Sequence, residues 1–200
     1  MVLMNAVENE SRLVIEACEG SVTAFEALVV LYEPRIRRMI YGMTRDEQLT
    51  QDICQETFLS AYRALPRMNG HDLRFAPWLY RIALNQLRSE WRKRKHVTIV
   101  PFGSSAVGDN DTSFEEQVED GALLDNPFEE GVAERDLVKR VLSRLPQNSV
   151  MCLLLDAEGF SYNEIAEIMQ DTLSAVRSRL SRARQAFQRI YSGLDQEGRR

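Results

Sequence analysis

The chain has few cysteines and few histidines. Its 200 residues include Cys18, Cys54 and Cys152, which are widely separated and lie within helical apolar patterns. An odd number of isolated cysteines predicts small buried hydrophobic side chains in a reducing compartment, not disulfides. The only histidines, His71 and His96, lie near no cysteine pair. We therefore expect neither a metal site nor any other cofactor.

Long apolar runs are also missing. No run approaches the length that crosses a bilayer, and the first residues lack a basic start followed by an apolar core. The sequence therefore predicts no membrane insertion and a cytoplasmic location. An apolar share of 44% and a charged share of 28% are typical of a soluble globular chain with one domain or two small ones.

Strand patterns are scarce, because only residues 97–102 cluster β-branched side chains, beside a proline and a glycine. The sequence predicts an all-α fold with two helical domains, at residues 11–96 and 131–192. Pro34 is expected to kink or restart a helix of the first domain. Residues 97–130 are polar and acidic, which predicts a flexible linker. Four helices are expected in the second domain.

The net charge of −5 hides a segregated charge pattern. Residues 20–96 carry 13 Lys/Arg against 8 Asp/Glu, whereas residues 97–130 carry 9 acidic residues and no basic ones. No acidic residue occurs between Ser174 and Ser192. Two basic modules joined by an acidic segment are compatible with nucleic-acid binding despite the negative net charge of the chain.

Residues 161–189 have the pattern of a helix-turn-helix. Ser161 and Glu164 form a capping box, and residues 170–172 interrupt the first helix with turn-forming residues. The second helix has one apolar stripe, and its other side alternates arginine and serine. Such a face suits phosphate and guanine contacts, although a solvated basic face is the alternative. The apolar stripe comprises Val176, Leu180, Ala183, Phe187 and Ile190.

A second candidate surface lies in residues 67–95. Residues 67–74 read as an exposed loop because Asn69-Gly70 favours a turn. The following helix has one aromatic, one amide and three guanidinium side chains at steps of three and four, a surface suited to unstacked bases. A core tryptophan is the alternative for its aromatic residue. The stripe comprises Trp78, Arg81, Asn85, Arg88 and Arg92.

A third candidate surface is acidic. Asp52 and Glu56 stand one helical turn apart, beside Gln55, on a helix expected from residue 46 to residue 64. Like charges at this spacing repel, and a basic partner would offset the repulsion. The alternative is an acidic face that contacts only solvent. No adjacent nucleophile, histidine or glycine-rich pocket supports catalysis here, and we expect no enzyme activity.

Five motifs in the observed order resemble those of the bacterial extracytoplasmic-function sigma factors, compact two-domain specificity subunits of RNA polymerase. The resemblance covers about residues 18–191. The motifs are DICQETF at residues 52–58, AYRAL at 61–65, WLYRIALN at 78–85, GFSYNEIA at 159–166 and VRSRLSRAR at 176–184.

The resemblance implies a role for each surface. Asp52, Gln55 and Glu56 would bind the core RNA polymerase. The −10 element, captured as single-stranded DNA with an unstacked base, would be bound by Asn69, His71, Trp78, Arg81, Asn85 and Arg88. The duplex −35 element would be read by Arg177, Ser178, Ser181 and Arg182, with Arg179 and Arg184 on phosphates. The resemblance also implies an anti-sigma partner, and we expect the free chain to be a monomer.

The chain departs from the family pattern at the turn of the helix-turn-helix. Relatives usually carry glycine there and a Pro-x-Gly-Thr sequence before the recognition helix, whereas this chain has Gln170 and residues TLSA at 172–175. Ser181 is also shorter than its usual counterpart. Two other hypotheses remain: a dimeric helix-turn-helix regulator that binds duplex DNA without polymerase, and a module that binds only proteins.

Overall fold

The computed structural model describes residues 2–97 and 129–198, and both ranges are α-helical with no strand. The predicted all-α fold is confirmed, as are the four helices of the second unit. Three residues of the predicted linker are helical, since Val97 ends α4 and residues 129–130 begin α5. The rest of the predicted linker, residues 98–128, lies outside the described residues. The first unit contains α1 (Val2–Cys18), α2 (Val22–Thr44), α3 (Glu47–Ala64), a 3-10 turn (Leu65–Arg67) and α4 (Phe75–Val97). The second contains α5 (Glu129–Ser143), α6 (Gln147–Ala157), α7 (Tyr162–Met169) and α8 (Leu173–Gly198).

Side-chain caps fix where three helices begin. The Ser21 hydroxyl accepts from the Ala24 amide at the start of α2, and the Asp46 carboxylate accepts from the Leu49 amide at the start of α3. At the start of α7 the predicted capping box is confirmed, because Ser161 and Glu164 exchange side-chain and backbone hydrogen bonds. Each cap satisfies an amide that has no partner within its own helix.

Helix α2 continues through Pro34. A restart at this proline, one of the two effects expected from the sequence, does not occur. Pro34 has no amide hydrogen to donate to the carbonyl of Val30, which precedes it by one turn. Val30 is 76% exposed, so water can reach that carbonyl and compensate for the missing bond.

The predicted apolar stripes form the core. Every member of the predicted α3 stripe is buried, and the first three members of the α8 stripe are 2% exposed or less. The buried members of the first stripe are Leu49, Ile53, Phe58 and Ala61 of α3 and Leu65 of the 3-10 turn; those of the α8 stripe are Val176, Leu180 and Ala183.

One hydrophobic cluster extends through both units. It includes Leu28 and Leu84 from the first unit together with Leu155 and Ile165 from the second. Helix α7 packs against α4, and α6 packs against α2. A separate small cluster joins α5 to the second half of α8 around Val141. The two units are therefore packed together, which brings their candidate surfaces close to one another.

Candidate nucleic-acid interface

The acidic residues of α3 line a groove between α3 and α4. Asp52, Gln55 and Glu56 are exposed. Their groove has a volume of about 550 Å³, and Gln86, Glu90 and Lys93 form its α4 side.

The α3 carboxylates make only weak local contacts. Asp52 accepts a hydrogen bond from Gln48 at 3.3 Å, and Glu56 accepts one from Ser60 at 3.4 Å. The Lys93 ammonium is bound to Glu90 at 2.5 Å. In the part of the chain that the structure describes, neither Asp52 nor Glu56 forms a salt bridge, so both remain available to a basic partner.

The loop between the 3-10 turn and α4 is organised by Asn69. Its amide nitrogen donates to the Asp72 carboxylate at 2.6 Å, and its amide oxygen accepts from the His71 backbone amide at 3.2 Å. This is the local hydrogen bonding by which asparagine favours turns. The His71 side chain is exposed at the surface of the loop.

The loop lies close against α1 at Gly70. A Cβ atom at this position would lie 2.8 Å from the Ile15 Cα atom, which is backbone and cannot swing aside. The absence of a side chain therefore lets the loop rest on α1.

We expect Gly70→Ala to lower the free energy of unfolding by about 1–3 kcal/mol, because overpacking displaces the backbone. Urea denaturation would measure the loss. Gly193→Ala is the matched control: Gly193 lies inside α8 with open space around it, so alanine should stabilise the chain by up to about 1 kcal/mol. Equal stability of the Gly70→Ala variant and the wild type would contradict the close approach.

The structure separates the predicted stripe of α4 into buried and exposed residues. Trp78 is 6% exposed and its ring lies 5.8 Å from that of Phe75. Asn85 is exposed and Arg81 is half-buried. The Arg88 guanidinium reaches α7, where it donates to the Met169 carbonyl at 3.4 Å.

The Arg88 guanidinium is half-buried and lies near other cations. Burial lowers the pKa of its guanidinium, and the neighbouring cations Arg179 and Arg92 lower that pKa further. Arg88 is expected at the −10 element and Arg179 at the −35 element, yet the two guanidinium groups lie close enough to repel one another.

The turn between α7 and α8 carries Gln170 in the left-handed conformation, with φ 58° and ψ 46°. Gln170 stands where relatives usually carry glycine, and for a residue with a Cβ atom this conformation costs roughly 1–2 kcal/mol. The Gln170 amide donates to the carbonyls of Ala166 and Glu167, and this closes α7. The helix-turn-helix is therefore complete without the usual glycine.

The basic face of α8 divides into free and paired side chains. Arg177, Ser178, Ser181 and Arg182 are exposed. These four are the residues expected at base edges.

The two arginines expected at phosphates take part in ion pairs. Arg179 binds Asp171 at 2.6 Å, and this hydrogen bond holds the pKa of the Asp171 carboxyl below its ordinary value. Arg184 binds Asp156 at 2.7 Å and donates to the Tyr162 hydroxyl at 3.1 Å. Both arginines thus fix α8 to neighbouring elements.

Sequence reasoning missed a cluster of charges between the units. Glu158, at the end of α6, binds Arg35 at 3.1 Å and Arg38 at 2.7 Å, although both arginines lie more than a hundred residues away along the chain. Arg74, in the loop, binds Glu164 at 2.5 Å and Glu167 at 3.1 Å. The only local signal is the spacing of Arg35 and Arg38, which places both on one side of α2.

The two units of the chain match two regions of one class of transcription initiation factor. The Sigma-70 region 2 family matches residues 28–97, and the Sigma-70 region 4 family matches residues 135–187. The RNA polymerase sigma-H factor of Pseudomonas aeruginosa is 35% identical over 95% of this chain and 97% of its own length. The ECF RNA polymerase sigma-E factor of Escherichia coli K12 is 34% identical over 88% of this chain and 90% of its own length. The chain belongs to the extracytoplasmic-function sigma factors, which direct RNA polymerase to start transcription at specific promoters.

Two solved structures share the fold. CnrH, in complex with the cytosolic domain of CnrY, superimposes with a TM-score of 0.67 at 23% identity, covering 92% of this chain and 98% of that one. The sigma factor RpoE of Bartonella quintana, in complex with the anti-sigma factor NepR, gives a TM-score of 0.64 at 24% identity, covering 86% and 98%. The hypothesis of a dimeric regulator is not favoured by the two family matches and the two sigma-factor relatives of known sequence. Within residues 2–97 and 129–198, no helix is long and apolar enough to cross a bilayer.

Proposed function

We propose that three separate surfaces of this sigma factor divide the work of initiation. The α3 face binds core RNA polymerase, the loop and α4 bind the −10 element, and the exposed face of α8 reads the −35 element. The observation that supports this division best is the acidic α3 face, whose carboxylates have no cation partner among the described residues. A basic partner protein would supply the cations that these carboxylates lack.

The α3 face is suited to a basic helical partner. Asp52 and Glu56 lie one turn apart and repel each other, so cations on the polymerase would relieve the repulsion. The neighbouring groove, with Leu49 and Leu59 among its lining residues, adds apolar area to the contact. Charges at such an interface raise the association rate and fix the orientation of the partner.

The −10 surface combines the loop and α4. Asn69 and His71 present polar groups from the loop, and Asn85 presents an amide from the helix. An unstacked base costs a few kcal/mol to expose, and hydrogen bonds to its edge offset that cost. Trp78 lies too deep to stack fully on a base, so we assign it to holding α4 in place beneath Arg81 and Asn85.

The −35 surface is the exposed face of α8. Arg177 and Arg182 can reach base edges in the major groove, where arginine binds guanine with two hydrogen bonds. Ser178 and Ser181 are short enough to let the helix backbone approach the groove. Arg179 and Arg184 would have to leave Asp171 and Asp156 before they could bind phosphates.

We propose that the factor works in the cytoplasm as a monomer until it meets polymerase, and that it catalyses no reaction of its own. An anti-sigma protein is a further proposed partner. Two relatives of the same fold were solved with such a protein or with a cytosolic domain bound to them, which motivates the search for one here.

Run-off transcription with purified core polymerase on a promoter library tests the proposal. We expect promoter-specific transcripts only when this chain is present. Asp52→Lys together with Glu56→Lys should weaken the affinity for core polymerase at least tenfold, because these changes place cations against a basic partner. The control is Glu26→Lys, which reverses the charge of one exposed glutamate on another helix. Failure of the wild-type chain to bind core polymerase at any salt concentration would refute the proposal.

A further inference from the structure

Helix α1 lies before the part of the chain that matches the Sigma-70 region 2 family, which begins at residue 28. It is nevertheless part of the first unit, because Val14 and Ala17 are buried in the core and α1 packs against α2. The helix also contacts the loop of residues 68–74, named here the −10 loop, which carries Asn69 and His71. Contacts with α1 occur at the start, the middle and the end of this loop.

The contact in the middle of the −10 loop is made by Gly70. A Cβ atom at this position would lie 2.8 Å from the Ile15 Cα atom and 3.3 Å from the Ile15 backbone nitrogen. The loop backbone therefore rests directly on the backbone of α1, which fixes how close the loop can come. The two neighbours of Gly70 in the sequence are Asn69 and His71. A shift of Gly70 away from α1 would move both of these side chains.

The two ends of the −10 loop are held as well. At the start, the Met68 amide donates to the Leu65 carbonyl at 2.9 Å, and the 3-10 turn that begins with Leu65 packs against α1. At the end, Phe75 begins α4, and its ring meets the Tyr32 ring edge to face with ring centres 5.3 Å apart. The Tyr32 hydroxyl donates to the Glu10 carboxylate of α1 at 2.6 Å. Glu10 is thus connected to the end of the loop through two aromatic rings.

The bond between Tyr32 and Glu10 is a buried one on the tyrosine side. Tyr32 is 1% exposed, and burial together with the Glu10 carboxylate raises the pKa of its hydroxyl, which therefore stays a donor. A buried donor that loses its acceptor is destabilised by the full cost of its lost hydration. Removal of the Glu10 carboxylate would therefore displace Tyr32, and with it the ring of Phe75.

The hydrogen bonds within the −10 loop and the contacts with α1 have different effects. Asn69 binds Asp72 and the His71 amide, so these bonds fix the internal shape of the loop. The contacts with α1 fix where that shape lies on the protein. Hydrogen bonds to a base edge require donor–acceptor distances of about 2.7–3.2 Å, so a small displacement of the loop weakens them. A loop that is already in place also loses less entropy when it binds.

We propose that α1 positions the −10 loop for base recognition, with Ile15 and Glu10 as its positioning residues. The inference rests on the proposed function, because it takes Asn69 and His71 as residues that contact the captured base. Ile15 and Glu10 do not contact DNA; they act through Gly70 and Tyr32. Changes at these contacts should alter discrimination between bases and leave the affinity for core polymerase unchanged.

The test measures how the holoenzyme, formed from core polymerase and the full chain, binds fluorescein-labelled single-stranded DNA. One oligonucleotide has the −10 sequence of a promoter found by run-off transcription, and its variants replace each base in turn. The captured base is the position at which the wild type discriminates most strongly. The preference ratio at this position divides the affinity for the original base by the mean affinity for the other three. Partial unfolding lowers all four affinities alike, so it leaves the ratio unchanged.

Gly70→Ala and Glu10→Ala should each lower the preference ratio by roughly 2–10-fold, the effect of losing one hydrogen bond to the base. Glu10→Gln retains an oxygen that can accept from Tyr32, so it should keep the wild-type ratio. The matched control is Glu16→Ala, because Glu16 is a carboxylate of the same helix and binds Arg12, also of α1, at 3.6 Å. This control should keep the wild-type ratio as well.

A wild-type ratio in either Gly70→Ala or Glu10→Ala would overturn the proposal, since it requires both contacts. An equal loss of preference in Glu16→Ala would overturn it too, because any change in α1 would then have the same effect. A wild-type holoenzyme without preference at any −10 position would refute the proposed function and the inference with it. Preference in the wild type that persists in the variants would refute the inference alone.

Discussion

Replacing Trp78 by alanine should lower the free energy of unfolding by about 3–5 kcal/mol, the usual cost of removing a buried tryptophan ring. The ring is 6% exposed and packs beside Phe75, which in turn contacts Tyr32 with ring centres 5.3 Å apart. The deletion therefore opens a cavity where α2 and α4 meet. Urea denaturation followed by circular dichroism would measure the loss.

Tyr62→Ala is the control for this prediction. Tyr62 is also aromatic and contacts Phe25 at 5.1 Å, but it is 45% exposed, so its loss should cost clearly less. If Trp78→Ala and the wild type unfolded at the same urea concentration, Trp78 would not be a core residue and its assignment to base stacking would regain support. Lost transcription in Trp78→Ala is informative about DNA only after the stability of the variant has been measured.

Replacing Arg182 by alanine should reduce use of promoters with a matching −35 element by roughly 5–150-fold, equivalent to about 1–3 kcal/mol for one bidentate base contact. Arg182 is exposed, and its Nε atom makes only a 3.4 Å contact to the Ser178 carbonyl of its own helix. The alanine variant should fold normally, because no core packing is lost. Run-off transcription on promoters that differ only in the −35 element would measure the change.

Arg189→Ala separates base reading from charge. Arg189 is an exposed arginine two turns further along α8, so its loss removes the same charge from the same helix. We expect Arg189→Ala to weaken binding to all promoters alike and by a small factor. Equal effects of the two variants on every −35 sequence would show that Arg182 contributes only charge, and the assigned base contact would be wrong.

Local patterns in the sequence were sufficient to predict the helices and most of the core. The capping box at Ser161 and Glu164 and the apolar stripe that starts at Val176 each involve residues within a few turns of one another. Such patterns follow from the geometry of a single helix, which is why they could be read without a structure. The family resemblance pointed to Gln170 as the residue that stands where relatives carry glycine, and the structure shows that it takes the left-handed conformation.

Contacts between distant segments could not be predicted in the same way. Nothing near Glu158 in the sequence indicates that Arg35 and Arg38 will surround it, because the pairing depends on how two units pack. The same limit applies to Arg179 and Arg184, which look like free DNA-binding side chains in the sequence but bind Asp171 and Asp156 in the structure. For Trp78, the sequence left two equal alternatives, a residue that stacks on a base and a residue of the core. The burial of its ring beside Phe75 favours the core residue.

The hydrophobic cluster shared by the two units affects the solubility of the protein. Tyr80 and Phe160 pack edge to face across the contact, with ring centres 4.7 Å apart, and separation would present both rings to water. Exposed apolar patches of this kind promote aggregation. We therefore expect a chain whose two units have separated to aggregate unless a large partner covers these rings. Fragments cut between the units should be less soluble than the intact protein.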